Sequence, residues 1–283
     1  MRVYYSNLCR LGSGLSESID EMIRYGAGAI ELMMDGPQWD EFETRGRELA
    51  ALLSEKPVVY SIHTPVWDIN LTSENAQARQ AALEAYRHSI AFAASIHAAH
   101  VVVHPGFCYA PVFDKKTARE RAARAVGALC RFNSLYGVPL LVENVGSAAT
   151  CIFTQDEYIA FIGRFGGRIG SLLDIGHANL CGWNLTDTIS RLKPFLYAVH
   201  LHDNNGTADS HLPIGSGSIQ WGSVFQELLE CRPDLRLILE YDIGTPLELL
   251  RGGKELLTQA FAGKIGLGGE PSPHHPVSAA VQI

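Results

Sequence analysis

The sequence predicts an α/β protein built as a single closed (β/α)8 barrel, and three observations support this. Eight short β-rich runs alternate with eight longer segments whose apolar residues recur at i, i+3 and i+4. Runs such as Val101-Val102-Val103 and Leu140-Leu141-Val142 contain no polar residue, the pattern of parallel strands covered by helices on both faces. The chain has 283 residues, and a barrel of this kind occupies ~250 as one domain. An open doubly wound sheet is the alternative topology. No GxGxxG follows the first strand and no GxxxxGK-Ser/Thr occurs anywhere, so a nucleotide-binding version of that sheet has no support.

Val3–Ser6 is the first strand, and Leu15–Tyr25 supplies the first helix. Ala29–Met33 is the second strand, ahead of a helix over Asp40–Ser54. Val58–His63 is the third, followed by a helix over Glu74–Ile96, where the helical period is clearest. His100–His104 with Lys115–Tyr136 forms the fourth unit, and Leu140–Asn144 with Gln155–Arg164, capped by Thr154, forms the fifth. Ile169–Asp174 precedes a short helix, Leu185–Leu192, for which Thr186 is the expected cap. Leu196–His202 with Trp221–Cys231, and Leu235–Tyr241 with Pro246–Ala262, complete the set. The barrel domain then spans residues 1–262. Residues 263–283 are rich in Gly and Pro and lack periodicity, so they read as a flexible C-terminal tail whose His274-His275 pair is solvated.

Composition bounds the function. Hydrophobic residues are 47% and charged residues 19%, a globular balance that excludes a disordered chain. No run reaches the ~18 apolar residues of a membrane span, and Met1 to Asn7 turns polar too early for an export signal. Cys9, Cys108, Cys130, Cys151, Cys181 and Cys231 form no CxxC pair, so they read as the reduced thiols of a cytoplasmic protein. Lys plus Arg is 23 against 30 Asp plus Glu, a formal charge of -7, which argues against affinity through a broad basic surface.

In a (β/α)8 barrel the C-terminal ends of the strands share one mouth. From the third strand to the eighth, the residues there are His63, His104, Glu143, Asp174, His200 and Glu240. A single strand-end histidine is ordinarily a hydrogen-bonded structural residue. Six consecutive strands ending in metal-binding residue types point to a metal site. His177 follows Asp174 closely, and Asp209 with His211 lies in the loop after the seventh strand. At i and i+2 of an extended segment, these last two would point the same way and grip one ion. Imidazoles with carboxylates suit Zn²⁺, Mn²⁺ or Fe²⁺ better than Ca²⁺. One ion takes about four protein groups, so bridging carboxylates would let these nine serve two or three ions. Multi-metal sites of that kind clamp the attacking and leaving oxygens of phosphoryl displacement. His88, His97 and His100 read as structural, and His202 as a supporting or pocket-lining group. No Gly-x-Ser-x-Gly elbow occurs, and no cysteine accompanies a strand-end histidine, which disfavours Ser or Cys nucleophiles.

Seven motifs carry a family resemblance: Ile62-His63-Thr64-Pro65, Val103-His104-Pro105-Gly106, Val142-Glu143-Asn144, Leu173-Asp174-Ile175-Gly176-His177-Ala178-Asn179, Val199-His200-Leu201-His202-Asp203-Asn204, Asp209-Ser210-His211-Leu212-Pro213-Ile214-Gly215-Ser216-Gly217 and Leu239-Glu240. From about Val3 to Ala262 the chain resembles the xylose-isomerase-like TIM-barrel superfamily. That superfamily holds sugar and sugar-phosphate isomerases and epimerases together with the family-2 apurinic (AP) endonucleases, the endonuclease IV group. The isomerase branch implies one divalent ion, often Mn²⁺, on Glu143, Asp174, His200 and Glu240, with the two glutamates moving protons. The endonuclease branch implies three zinc ions on His63, His104, Glu143, Asp174, His177, His200, Asp209, His211 and Glu240, all of which are present. Isomerases usually lack several of these, especially the pair matching His63 and His104.

Asn70-Leu71 and Pro37-Gln38-Trp39 also resemble the endonuclease branch. Other segments depart from it. The loop after the seventh strand, Asp203 to Ala208, is short and has no lysine; Ile175-Gly176 stands where the endonucleases have Thr-Cys; and the loops after the second and third strands carry no cation. Phosphate contacts supply most duplex affinity, so DNA is not the expected partner. The first expectation is a metal-dependent hydrolase of a small molecule, with an endonuclease-IV-like site of two or three Zn²⁺, Glu143 orienting water and Glu240 holding an ion. The second is a sugar or sugar-phosphate isomerase or epimerase with one Mn²⁺ and a Glu143/Glu240 acid–base pair. A non-catalytic metal-binding or partner-binding barrel is the third. No membrane partner is expected.

Overall fold

The computed structural model describes residues 1–39 and 42–263. Asp40, expected to open the second helix, and the tail beyond Gly263, including His274-His275, lie outside the described residues. The strands are β1 (Arg2–Ser6), β2 (Ala29–Met33), β3 (Val59–His63), β4 (Val101–Val103), β5 (Leu140–Glu143), β6 (Gly170–Asp174), β7 (Leu196–Leu201) and β8 (Arg236–Leu239). They pair in parallel and in chain order, and β8 returns to β1 through Val3 opposite Leu237, closing the barrel. The helices are α1 (Leu15–Arg24), α2 (Phe42–Ser54), α3 (Ala76–Ser95), α4 (Lys115–Asn133), α5 (Gln155–Gly163), α6 (Ile175–Leu180), α7 (Leu185–Leu192), α8 (Trp221–Leu229) and α9 (Leu247–Phe261).

The elements agree with the sequence reading to within a few residues, with two differences. The cap of α7 is Asn184, whose side chain accepts from the Asp187 amide; Thr186 instead donates its hydroxyl to Asn184. A helix cap must precede the first turn to meet its free amides, and Thr186 lies inside it. The other difference is α6, which follows β6 with no intervening loop and is too short, with a glycine inside it, to display a helical period.

Two apolar layers hold the barrel together. Between sheet and helices runs a large cluster that includes Ile30, Ile62, Tyr86 and Leu237. Inside the barrel is a small plug of Tyr4, Ala29, Val102, Leu141, Leu172, Ala198 and Ile238. Strand side chains alternate faces, so the residue two positions further along points into the barrel again, nearer the mouth. From six of the seven plug residues this step gives Glu31, His104, Glu143, Asp174, His200 and Glu240, and from Tyr4 it gives Ser6. The two-residue period thus stacks a layer of ionisable groups on an apolar floor.

Candidate metal centre

Every sequence-predicted site residue reaches one cluster. Glu143 lies at its middle. Its Oε2 is 3.2 Å from His63 Nε2 and 3.0 Å from His104 Nε2. Its Oε1 is 3.3 Å from His200 Nδ1 and 3.3 Å from His177 Nδ1. His200 Nδ1 also lies 3.5 Å from Asp174 Oδ2 and 3.3 Å from Glu240 Oε2. A third group forms at the rim, where Asp209 lies 3.0 Å from His177 Nε2 and 3.4 Å from His211 Nε2.

The histidines are oriented by atoms that can only accept a hydrogen bond. His63 Nδ1 meets the Thr64 carbonyl at 2.8 Å, His177 Nδ1 the Asn144 carbonyl at 3.2 Å, and His211 Nδ1 the Glu240 carbonyl at 3.0 Å. His200 Nε2 meets the Glu31 carboxylate at 2.7 Å. In a neutral ring each acceptor would fix the proton on the nitrogen it touches and leave the lone pair on the other, which in His63 and His200 faces Glu143 and in His177 and His211 faces Asp209. His104 is the exception: its Nδ1 is buried without a partner. Bonds of ~2.0–2.2 Å to one tetrahedral ion place two ligands ~3.3–3.5 Å apart, close to the spacings quoted. His63–His104–Glu143, Glu143–Asp174–His200 and His177–Asp209–His211 could each hold a divalent ion.

Without metal, the same groups neutralise one another. Burial by itself lowers the His63 imidazole, but the hydrogen bond to Glu143 and its charge override this and lift it to about 9. His211 rises to about 9 against burial through its hydrogen bond to Asp209 and the charge of Glu240. His177 and His200 are also raised well above the usual range, by Asp174 and Asp209 for the first and by Glu240, Glu143 and Glu31 for the second. In His104 burial prevails and the imidazole falls. Burial opposes ionisation of Glu143, Asp174 and Asp209, yet the facing histidines hold all three below the ordinary carboxylate range.

The sequence reading missed Glu31 and took His100 as structural without a partner in the cluster. Both are fully buried beneath the ligands, where Glu31 also takes His100 Nε2 at 3.3 Å and the Ser61 hydroxyl at 3.1 Å. His100 touches Glu31, which in turn holds His200. The available signal was an acidic residue in an otherwise apolar strand, Ala29-Ile30-Glu31-Leu32-Met33. His202 supports Asp174, with Nε2 at 3.0 Å from its Oδ2, and stacks on His211 at 3.8 Å between ring centres. Its ring fits because residue 176 is glycine; a Cβ there would come within 2.0 Å of His202 Cε1.

Asp209 and His211 do meet, but not as an extended pair. His211 has φ +40°, a left-handed conformation that bulky residues rarely adopt, so a turn brings the two together. The loop is held by Asp203, whose carboxylate accepts from the amides of Gly215 and Ile219 and from the indole of Trp221 at 2.8 Å. Asn144 ties β5 to β6 by bonding both the amide and the carbonyl of Asp174. Asp174 in turn caps α6 by accepting from the His177 amide at 2.6 Å, which fixes the spacing of those two ligands.

Above the ligands opens a cavity of about 210 Å³ with an apolar rim that includes Trp67, Phe107 and Tyr109. No Lys or Arg lines it among the described residues. It is smaller than the ~300–1,000 Å³ of pockets for drug-sized ligands.

The fold and this mouth define a TIM barrel with imidazoles and carboxylates gathered at the C-terminal ends of its strands. The chain belongs to the xylose isomerase-like TIM-barrel family, whose model matches residues 19–260; the family is one of enzymes. It is 31% identical over 206 residues to a probable endonuclease 4 of Mycobacterium tuberculosis, covering 69% of this chain and 77% of that one. Among solved structures, a D-tagatose 3-epimerase-like protein aligns with a TM-score of 0.81 at 23% identity, over 93% of this chain and 98% of the other. The IOLI protein, solved with a bound zinc atom, aligns with a TM-score of 0.76 at 14% identity, over 94% and 99%. At these identities the two structures are likenesses of fold. Among the described residues, no helix is long and apolar enough to cross a membrane.

Proposed function

We propose that the protein is a metal-dependent phosphoester hydrolase acting on a small substrate through a multinuclear centre. The observation that carries this reading is the position of Glu143. One of its oxygens serves His63 and His104, and the other faces His200 and His177. A carboxylate shared between two ligand sets supports two ions, and His177, Asp209 and His211 offer a place for a third. His63, His104, Glu143, Asp174, His200 and Glu240 would hold such ions, which when bound would supply a water of pKa ~7 and polarisation of a phosphoester oxygen. The protein's own part is preorganisation. Glu143 is fixed from both sides and orients the attacking water between the two sets. Glu31, Thr64, Asn144 and Glu240 hold the imidazoles in place before substrate arrives, so little reorganisation is needed during reaction. Phe107 and the side chains beside it shield the site from bulk water. The small, cation-free cavity suits one small phosphoester better than a duplex, which needs basic side chains along its backbone. The likeness to probable endonuclease 4 supports cleavage at phosphate.

The test is elemental analysis of protein purified without added metal, together with turnover of bis(4-nitrophenyl) phosphate and 4-nitrophenyl phosphate with zinc and with chelator. At least two equivalents of metal and chelator-sensitive hydrolysis are expected. One equivalent with no hydrolysis overturns the reading.

One observation favours a second reading, ketose epimerisation. Glu143 and Glu240 approach His200 Nδ1 at 3.3 Å each, so two carboxylates flank one ion position, as an acid–base pair acting beside a carbonyl requires. The fold likeness to the D-tagatose 3-epimerase-like protein supports it. Mn²⁺-stimulated interconversion of ketohexoses by a one-ion protein would establish it in place of hydrolysis.

A further inference from the structure

The loops after β3 (residues 64–75) and β4 (residues 104–114) rise beside the ligand cluster, and each presents a bare aromatic ring to the cavity above it. Trp67 is 56% exposed and Tyr109 is 66% exposed. Tyr109 is linked to the ligands through Phe107. Its ring stacks on Phe107 at 5.4 Å between centres, and Phe107 meets the His104 imidazole edge-on at 5.7 Å. Leu8, Met33 and Val66 extend the apolar wall of the same cavity.

Both loops are fastened by polar side chains. The buried carboxylate of Asp35 accepts from the Val66 amide at 3.1 Å and from the Trp67 amide at 3.2 Å. Asn70 joins one loop to the other: its Nδ2 donates to the Phe107 carbonyl at 3.1 Å, and its Oδ1 accepts from the Phe107 amide at 3.0 Å. Gly106 lets Thr72 close against this joint, because a Cβ there would come within 2.4 Å of Thr72 Oγ1. Rings carried on backbone held this firmly lose little freedom when a ligand stacks on them. Exposed apolar faces gathered beside a cavity mark a binding surface.

We propose that Trp67 and Tyr109 form an aromatic subsite that selects phosphodiesters bearing a flat, uncharged aromatic ring on an alcohol portion, an inference that rests on the phosphoester reading above. The ligand groups lie at the floor of the cavity, so a phosphate held there directs its alcohol portions along the apolar wall. A charged alcohol portion would lose its water against that wall without gaining a partner. A flat ring instead buries its face against Trp67 or Tyr109, and stacked aromatic pairs gain roughly 2–10-fold in affinity beyond burial itself. A diester carries one negative charge where a monoester carries up to two, which suits a cavity that no Lys or Arg lines among the described residues.

The experiment compares diphenyl phosphate with dimethyl phosphate for binding to the full-length protein, by calorimetry with zinc present. The two share one charge and one phosphodiester core, so the ratio of their affinities reads the aromatic rings. The wild type should prefer diphenyl phosphate by at least ~10-fold. Trp67→Ala and Tyr109→Ala should each narrow that preference by roughly 3–10-fold, and Trp67→Phe should keep most of it. Leu135→Ala, at an exposed apolar residue between α4 and β5 at the opposite end of the barrel, should leave the preference unchanged. The wild-type ratio stands without any variant. No preference in the wild type, or a preference that both alanine variants retain in full, overturns the subsite. Turnover of bis(4-nitrophenyl) phosphate is read separately. Preference without turnover keeps the aromatic subsite and removes the hydrolase; turnover without preference does the reverse.

Discussion

Glu31 and His200 face each other across 2.7 Å inside the barrel, and neither is exposed to solvent. The carboxylate sets which imidazole nitrogen keeps its proton and so aims the other at Glu143, Asp174 and Glu240. Outer partners of this kind typically change metal affinity by ~10–100-fold. Glu31→Gln is therefore expected to weaken zinc binding by about that factor, and Glu31→Asp to weaken it less. Competition with a chromogenic chelator measures this, and an unchanged affinity in the Gln variant would remove the relay.

Glu143→Gln should abolish turnover, by at least ~100-fold, and should also lower the metal content. An amide lacks the charge and the second acceptor oxygen needed to serve two ligand sets. The fold should persist, because the plug of Leu141, Leu172 and their neighbours lies beneath the change. Activity assays and circular dichroism read the two halves separately.

The His63→Ala, His104→Ala double variant should lose about one equivalent of metal and keep the remainder, since Asp174, His200 and Glu240 are untouched. Elemental analysis counts the ions directly. A count equal to that of the wild type would make these two histidines substrate contacts.

Metal-free protein should be most stable between ~pH 4.5 and 6.5. His63 and His211 titrate at about 9 when folded and at ~6.5 when unfolded. Their contribution is complete below the unfolded value and disappears as pH rises through the folded one. Glu143, Asp174 and Asp209 are depressed when folded, so their contribution is present above ~4 and is lost as pH falls. Bound metal requires neutral imidazoles. The decline toward pH ~9 should then vanish, and metal affinity should rise with pH over the same window. Thermal melts with and without chelator test this, and a flat metal-free profile from pH 6 to 9 would contradict it.

Duplex DNA with an abasic site should bind weakly and escape cleavage at physiological salt, because no Lys or Arg lines the cavity among the described residues. A gel-shift titration decides, and tight site-selective binding would reverse the substrate assignment.

Most of the barrel, and the gathering of six expected residues at one mouth, were legible because both rest on local patterns: apolar period for the elements, and position at strand ends for His63, His104, Glu143, Asp174, His200 and Glu240. What escaped depends on contacts distant in sequence. Glu31 sits in the middle of a buried strand, and its partner His200 is 169 residues away; the acid in an apolar run is its one local sign, and that sign does not name the partner. The turn at His211 follows from loop closure by Asp203 rather than from the identity of the residue that turns. The short α6 was hidden because a six-residue helix starting at a strand end leaves no period to read.

The missing side chain at Gly176 has a consequence for the rim. The ring of His202 occupies the volume that any side chain at residue 176 would need, so the two positions form a steric either-or. The Thr-Cys pair of the endonucleases and the Ile175-Gly176 of this chain are therefore not interchangeable spellings of one motif. A side chain placed at residue 176 of this chain would displace the His202 ring, and with it the stacking partner of His211. In this chain, then, it is the missing side chain at residue 176 that furnishes the rim histidine with its aromatic neighbour.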